Sequence, residues 1–460
     1  MTEERDNGGV SGATDESLSR GEFLKRGGAA LGGVVIGSGM LAEKSWARPI
    51  QHLGRDAAVG TINLGYVSPL TGADAGFGEP DPYILSLVRE KVAHGLKIGG
   101  RTYRVNIVDK DAQSTPSVSA RVTQELINSS HVDMLLATST PEVVLPVSSA
   151  AEAAGVPAIS TIVPWQSWWL GLHNSLTKPK PYKWIYHFSF GSINFYDTYT
   201  SLWPQVKTNK VVGVLYPNDS DGNAVRAGLA PALQHAGYTI VDPGPYQDGT
   251  TDFSSQIAMF KEKDCQIFNT FPIPSDFTTF WRQAAQQGYT KQVKIAQIAK
   301  TGLFVSQVEA VGLSLGNKLA TGVYWGPTWP GGSSFTGISN KKLAAGYEAH
   351  AHKYWNQQLG PSLALFDIAF AAMKKAGNPK DKAAVARALK NLNVKTPLGD
   401  LHWGSGNKIS NPLPNVVATP IPGGQWLTTK KGSKYPLEFV FCEHKDYPGV
   451  PIQAKLKPYN

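Results

Sequence analysis

Residues 135–161, LLATSTPEVVLPVSSAAEAAGVPAIST, decide the fold of this protein. An apolar run ends in three consecutive hydroxyl residues, 138–140, and a proline follows. Thr140 is a good helix N-cap and Pro141 a good first helical residue, because proline at that place needs no partner for its nitrogen. The stretch therefore predicts a buried strand, a helix that ends at Gly155, and a second strand.

The same alternation of strand and helix continues on both sides of this stretch. Upstream, TINLGYV (61–67) and RTYRVNIVDKD (101–111) alternate in polarity with period two, and apolar residues at helical spacing lie between them. Downstream, the pattern restarts at KVVGVLY (210–216). Strands separated by helices of about 12 to 15 residues imply right-handed crossovers and mainly parallel sheets. We predict an α/β fold with two doubly wound units.

Composition limits the kinds of function that this chain can have. The chain has 460 residues, 42% of them hydrophobic, and a net charge of +9, so it can bury the cores of two folding units. Its densest basic positions are Lys178, Lys180, Lys183 and the pair 430–431. They are too scattered for a nucleic-acid surface, and we expect no nucleic-acid partner.

The two cysteines, Cys265 and Cys442, both lie in apolar, strand-like contexts. An exported protein could bridge them, and two buried free thiols fit the same pattern. Two cysteines are too few for a cysteine-based zinc site or a disulfide-dense scaffold. The sequence leaves their pairing open.

The N-terminus has the organisation of an export signal. A polar leader runs to Arg26, a weakly apolar run covers 27–42, and Ser45 and Ala47 are spaced as a small-x-small cleavage site. The apolar run is shorter than the roughly 20 residues that span a bilayer. We predict a cleaved signal peptide over residues 1–47, a linker over 48–60, and a periplasmic or extracellular location.

The route of export stays open in the sequence. Residues 19–25, SRGEFLK, resemble the twin-arginine motif at Arg20, Phe23, Leu24 and Lys25. Gly21 stands where the second arginine of that motif belongs.

The hydroxyl residues of the opening stretch lie where an open parallel sheet binds small ligands. Helix N-termini and loops converge at the carboxyl ends of the strands. Unpaired N–H groups at the start of the predicted helix 141–154 would favour an anion there. The alternative is that these hydroxyls only cap the helix.

Several short stretches fall in an order that resembles a known family. They are INLGYVSPLTGADAGFG, GVPAIST, GTTDFSSQIAMFKEKDCQIF, WRQAAQQGY, FDIAFAAMKKAGNPKDKAAVARALKNL and TPLGDLHW. In this order they resemble type I extracytoplasmic solute-binding proteins of the branched-chain amino-acid (leucine, isoleucine and valine) class of ABC importers. The resemblance covers most of residues 61–430.

The resemblance implies two lobes joined by a hinge of three crossovers, with a ligand cleft between them. The first lobe would comprise 61–187 and 326–397, and the second 188–325 and 398–460. Lobe closure would capture an amino acid or an aromatic or aliphatic carboxylate and deliver it to a membrane permease with its ATPase. We expect a monomer without catalytic residues, metal or cofactor.

The resemblance also assigns ligand-binding positions in the first lobe. Thr138, Ser139 and Thr140 would hold a ligand carboxylate, together with the backbone near Ile162 and Val163.

Aromatic residues would complete this side of the cleft. Phe77 would pack on the apolar part of the ligand, or else anchor its own turn. Trp165, Trp168 and Trp169 follow the strand whose end should line the cleft. They could bind a flat or cationic group or pack an insertion, and Trp165 is the best candidate for the ligand.

In the second lobe this sequence departs from amino-acid binders. Asn218 begins the loop that faces the cleft, and Asp221 would pair with a ligand amine or cap the following helix. Phe271 falls near another contact. Ala299 and Lys300 stand where those proteins place a glutamate for the ammonium group. A lysine there would repel an ammonium, which argues for a ligand without one.

An enzyme and a receptor are the rival functions. Nucleophile elbows, HExxH motifs, Walker loops and GxGxxG motifs are absent from the sequence, which disfavours a hydrolase. His350 and His352 are two residues apart on a helical pattern, the wrong spacing for a shared metal ion. A ligand-sensing receptor of the same fold remains the alternative, and an export signal argues against a cytosolic regulator.

Overall fold

A computed structural model of the protein describes residues 58–404 and 411–460. The predicted export signal, its twin-arginine-like motif and nearly all of the predicted linker lie outside the described residues.

The described chain alternates strands with helices, as the sequence predicts. The strands are β1 (Thr61–Ser68), β2 (Leu96–Ile98), β3 (Arg101–Asp111), β4 (Met134–Thr138), β5 (Ala158–Thr161), β6 (Ile185–Ser189), β7 (Val211–Leu215), β8 (Thr239–Val241), β9 (Ile267–Thr270), β10 (Ile295–Ile298), β11 (Ala320–Gly322), β12 (Asn393–Thr396), β13 (Gly399–His402), β14 (Val416–Ala418), β15 (Gly423–Thr428) and β16 (Leu437–Phe441).

The helices lie mostly between consecutive strands. They are α1 (Ala75–Gly78), α2 (Asp81–Lys91), α3 (Pro116–Asn128), α4 (Pro141–Ala154), α5 (Trp165–Gly171), α6 (Ser192–Leu202), α7 (Ser220–His235), α8 (Ser254–Glu262), α9 (Pro274–Gln286), α10 (Val305–Val311), α11 (Leu313–Gly316), α12 (Asn340–Ala351), α13 (Leu359–Ala376) and α14 (Lys382–Leu389), with 3₁₀ turns at Trp203–Gln205 and Tyr289–Lys291.

Two seven-stranded sheets form the centres of two lobes. The first has the order β14-β6-β5-β4-β1-β3-β2 and the second β16-β15-β11-β10-β9-β7-β8. Pairing is parallel except for β2 with β3 in the first sheet, and for β15 with β11 and β16 with β15 in the second. The predicted α/β fold of two doubly wound lobes is confirmed.

The residues at its two ends determine where the helix of the opening stretch begins and ends. Helix α4 begins at Pro141 after Thr140 as N-cap. It ends before Gly155, whose φ of +67° is the left-handed conformation that glycine adopts without strain. The prediction for residues 135–161 is confirmed.

The chain passes between the sheets three times, after β6, β11 and β14. The limits predicted for the lobes need correction at two points. Residues 416–418, assigned to the second lobe with all of 398–460, pair in parallel with β6 and extend the first sheet. Strand β6 itself continues to Ser189, two residues past the predicted limit at 187. The other lobe limits stay a prediction.

No helix in residues 58–404 or 411–460 combines the length and apolarity that a membrane crossing requires.

Cys265 and Cys442 are free and buried, which resolves the question of their pairing. Burial raises the pKa of each thiol to about 12, so neither supplies a reactive thiolate near neutral pH.

We therefore expect Ellman's reagent to find no reactive thiol in the native protein and two thiols per chain in guanidinium chloride without reductant, since both cysteines are free. A denatured protein that shows no thiol until a reductant is added would contradict the free pair.

Candidate functional site

A cavity lies between the two sheets, where the carboxyl ends of their strands face each other. The first sheet contributes residues that follow β4 and β5, and the second contributes residues that follow β9, β10 and β11. The volume open to the centres of water-sized molecules is about 40 Å³. At roughly 10–15 Å³ per water, that is room for about three water molecules.

Aromatic rings from both lobes form the apolar wall of this cavity. Phe190, at the end of the first sheet, stacks on Tyr324 with ring centroids 5.6 Å apart. Phe195 and Phe271 meet edge to face at 5.0 Å. Phe77 also lines the cavity and makes an edge-to-face contact at 5.0 Å with a ring of the other lobe, that of Phe304.

Three cavity residues have left-handed backbone conformations although none is glycine. The φ angles are +112° at Ser139, +79° at Ile162 and +62° at Lys300. Each follows the end of a strand by one or two residues. Such conformations cost on the order of 1–3 kcal/mol and concentrate at functional sites. They turn the chain sharply where it enters the cavity.

The three hydroxyl residues of the opening stretch have different partners. The hydroxyl of Thr138 accepts a hydrogen bond of 2.5 Å from the amide of Gln358, and Thr138 does not line the cavity. The hydroxyl of Thr140 donates to Asp74 at 3.0 Å. The hydroxyl oxygen of Ser139 accepts from the backbone N–H of Thr140. Ser139 and Thr140 line the cavity, and only Ser139 keeps its hydroxyl hydrogen for a ligand among the partners described.

A buried ion pair forms the polar end of the cavity. The Lys300 ammonium lies 2.8 Å from a carboxylate oxygen of Asp219 and 3.5 Å from one of Asp221. The three side chains are 6%, 7% and 8% exposed. The prediction that Lys300 presents a repulsive charge is wrong, because two carboxylates neutralise it.

The same contacts separate the roles of the two aspartates. Asp219 is the N-cap of α7 and accepts from the N–H of Gly222 at 2.6 Å. Asp221 lies in the first turn and lines the cavity. The alternative that Asp221 caps the helix is therefore wrong.

Carboxylates outnumber cations around this ion pair. Burial alone would lower the pKa of Lys300, but Asp219, Glu142, Asp221 and Asp74 raise it well above its usual value. Burial raises the pKa of Asp221 and of Asp74, and the Lys300 charge opposes both shifts. The polar end is therefore acidic.

The structure brings most of the predicted site residues to this cavity and leaves out two besides Thr138. Those that line it are Phe77, Ser139, Thr140, Ile162, Val163, Asp221, Phe271 and Lys300. Asn218 is exposed and accepts a hydrogen bond from Asn223 instead. Trp165 is half-buried, with its indole against Gly191, and Trp168 and Trp169 are core residues. Trp168 and Trp169 are therefore packing residues, which is the second of the two roles considered from the sequence.

Residues 356–358, which we call the amide segment, tie the cavity walls together and were missed from the sequence. Asn356 donates to the carbonyl of Gly76 at 3.0 Å. Gln357 donates to the carbonyl of Leu303 at 2.7 Å and accepts from the N–H of Tyr324 at 3.1 Å.

Gln358, the third residue of the amide segment, also has a hydrogen bond to Tyr324. Gln358 accepts from the Tyr324 hydroxyl at 3.2 Å, besides donating to Thr138. The amide segment precedes α13, which packs on β4 and β5 of the first sheet, whereas Leu303 follows β10 of the second. The bonds that the amide segment makes to Leu303 and Tyr324 therefore join the lobes, and no periodicity of the sequence marks them.

A buried histidine holds the turn that carries Ile162 and Val163. His187 contacts the Val163 carbonyl through Nε2 at 2.8 Å and the Ser160 hydroxyl through Nδ1 at 2.9 Å. A carbonyl can only accept, so Nε2 carries the proton and Nδ1 accepts. Its ring stacks on Trp168 at 4.8 Å. Burial lowers the pKa of His187 to about 3, so the ring is neutral in the folded protein.

A protein-family model described as "Periplasmic binding protein" matches residues 61–413. Among curated proteins, the Leu/Ile/Val-binding protein homolog 8 of Brucella abortus (strain 2308) is 27% identical over 233 residues, which are 49% of this chain and 54% of that protein. The chain thus spans about half the length of the curated relatives it matches.

Solved structures share the fold. One is the solute-binding protein of an ABC transporter from Rhodopseudomonas palustris BisB5 in complex with 3,4-dihydroxy benzoic acid, with a TM-score of 0.63, 18% identity, and coverage of 85% of this chain and 99% of that one. Another is the branched-chain amino acid transporter substrate-binding protein LivJ from Streptococcus pneumoniae in complex with isoleucine, with a TM-score of 0.62, 18% identity, and coverage of 83% and 99%.

Replacing Gln357 by leucine keeps the side-chain size and leaves the Leu303 carbonyl and the Tyr324 N–H without a partner. We expect a loss of about 1–3 kcal/mol in the free energy of unfolding for each unpaired group, measured by urea denaturation. The control Gln234→Leu changes an exposed residue of α7 and should shift stability by less than about 0.5 kcal/mol. Equal stabilities of the two variants would contradict the role of Gln357.

The neutral state of His187 predicts a pH dependence. In the unfolded chain histidine binds a proton near pH 6.5, whereas in the fold it does so only near pH 3, so the unfolded state takes up more protons in between. The contribution of His187 to stability is therefore present above pH 6.5 and falls by up to about 1.4 kcal/mol per pH unit as the pH drops below it.

We expect His187→Gln to show a shallower loss of unfolding free energy from pH 6.5 to 4.5 than the wild type, because glutamine does not titrate. His235→Gln, which changes an exposed histidine, should keep the wild-type slope. An imidazole NMR signal of His187 that titrates above pH 5 in the folded protein would refute the neutral buried ring.

Proposed function

Because the chain belongs to the periplasmic binding protein family, we propose that it is the extracytoplasmic solute-binding component of an ABC importer. It captures a small organic solute between its lobes and delivers it to a membrane permease, whose partner ATPase drives uptake. A single observation supports this proposal most strongly. The cavity is lined by residues of both lobes, so a ligand held there contacts both at once.

Capture is reversible and depends on the distance between the lobes. The cavity has room for about three water molecules, which is less than an amino acid needs, so the lobes must separate both to admit a solute and to make room for it between them. A ligand that binds only the closed form shifts the population toward it by its differential affinity for the two forms. No covalent bond changes in this cycle.

The two ends of the cavity suggest how a solute is oriented. The hydroxyl of Ser139 would donate a hydrogen bond to an oxygen of the solute, and Phe77 and Phe271 would pack on its apolar body. Asp221 would receive an amino group. Isoleucine and 3,4-dihydroxy benzoic acid, bound by the two structural neighbours, share acceptor oxygens and an apolar body. A solute that carries both an amino group and an acceptor oxygen uses both polar ends.

We expect a thermal-shift screen with amino acids, aromatic acids, amines, betaines and sugars to find one chemical class that raises the melting temperature. A ligand at 100 times its dissociation constant adds about 2.7 kcal/mol to the free energy of unfolding. The variant Ser139→Ala should bind a carboxylate ligand more weakly, whereas Ser117→Ala, at an exposed position of α3, should bind as the wild type does. Chemical turnover of the bound ligand by the purified protein would contradict a purely binding function.

A further inference from the structure

The acidic end of the cavity holds one cation against several carboxylates. The field of four carboxylates reaches the Lys300 ammonium, those of Asp219, Glu142, Asp221 and Asp74. In residues 58–404 and 411–460, the ion pairs of these four groups are the two with Lys300. A single ammonium group is therefore shared among four carboxyl groups. Burial raises the pKa of Asp221 to about 7, and a second cation beside it would favour its ionised form.

One carboxylate oxygen at the cavity has no donor within hydrogen-bond distance. Asp221 is buried, and its Oδ1 lacks such a partner among the described residues; the Ser167 hydroxyl, which also lacks a partner, is the neighbouring donor with which a ligand would compete. The other oxygen, Oδ2, faces Lys300. Close by, the Oδ1 of the buried Asp74 and the Oε2 of Glu142 also lack partners. A buried acceptor without a donor lowers stability, and a ligand N–H group would remove that cost.

Lys300 is poorly placed to hold a ligand anion. Its ammonium already contacts Asp219 at 2.8 Å, so a ligand carboxylate would compete with a buried carboxylate of the protein itself. The N-terminus of α4 is acidic as well, since Glu142 lies in its first turn and the Thr140 hydroxyl donates to Asp74. Both positions that could attract an anion therefore carry protein carboxylates.

The rest of the cavity favours a cation. Aromatic faces attract ammonium and guanidinium groups through their quadrupoles and offer nothing comparable to a carboxylate. Rings of Phe195, Phe271 and Tyr324 line the cavity together with Asp221. A positive group at Asp221 would thus meet a carboxylate on one side and aromatic carbon on the other.

From these contacts we propose that the solute carries a net positive charge, as an amine or a basic amino acid does, and that its charged nitrogen binds Oδ1 of Asp221. This inference rests on the proposed function and names the class of solute that the cavity takes. Lys300 then acts as a fixed counter-ion that keeps Asp219 and Asp221 in place, and the ligand supplies the second cation.

Isothermal titration of the whole protein with charge-matched probes tests this assignment. One set is 3-methylbutylamine, leucine and 4-methylpentanoate, and a second is tyramine, tyrosine and 3-(4-hydroxyphenyl)propanoate. Lysine and arginine are titrated beside them. Within each set the apolar side chain is constant and the net charge changes from positive to zero to negative. We expect the cation to bind at least tenfold more tightly than the zwitterion, and the anion not to bind.

Two variants test whether the charged nitrogen of the solute binds at Asp221. Asp221→Asn should weaken binding of the cationic probe at least tenfold, because it removes the carboxylate that receives the nitrogen. Asp400→Asn changes an exposed aspartate of β13 and should bind as the wild type does. Circular dichroism checks that both variants are folded. If Asp221→Asn does not fold, the ranking of the probes on the wild-type protein decides the question.

Failure of this assignment is distinguishable from failure of the proposed function. A zwitterion or an anion that binds most tightly overturns the net-cationic solute and leaves solute capture standing. If the only compound that binds in the wider screen lies outside the two sets, a net positive charge on that compound supports the cationic solute, and a zero or negative net charge overturns it. If no compound of any charge binds, both proposals fall.

Discussion

The buried ion pair of Lys300 with Asp219 and Asp221 is the interaction on which the account of this cavity depends. Removing three charged groups from water is expensive unless each is paired and hydrogen-bonded. Here Asp219 also accepts the N–H of Gly222 at the start of α7, and so the ion pair fixes the loop after β10 against the helix after β7. The lysine is satisfied within its own lobe, and the carboxyl group of Asp221 remains for a ligand to meet.

The wall of the second lobe that carries this ion pair faces the first lobe across the cavity. The amide segment holds the two lobes together at the border of the cavity. Gln357 donates a hydrogen bond to the Leu303 carbonyl and accepts one from the Tyr324 N–H, and the latter two residues both border the cavity. The edge-to-face contact of Phe77 with Phe304 crosses the same gap. These hydrogen bonds and aromatic contacts join the two lobes, and little space remains between them. In the proposed capture cycle these contacts break when the lobes separate.

Sequence reasoning located the cavity because topology dictates it. The carboxyl ends of parallel strands must face the crevice, and so the region of Ser139 could be assigned from the order of strands and helices. Ile162 and Phe271 were assigned from the family that the short motifs resemble, and that family is confirmed. It failed for the charge of Lys300, since Asp219 lies 81 residues away in the chain and sequence spacing does not reveal their contact. Strand β14 is three residues long and has no periodicity to detect. The amide segment has no periodicity either, because each of its side chains binds a different partner.

In the proposed mode of binding, the cavity offers a carboxyl group to its ligand although it contains a lysine. A crystal structure of the protein with its tightest-binding solute should show a charged nitrogen of the solute within hydrogen-bond distance of Oδ1 of Asp221, with Lys300 still paired to Asp219. A solute carboxylate bound to the Lys300 ammonium, with either aspartate displaced, would refute this mode of binding.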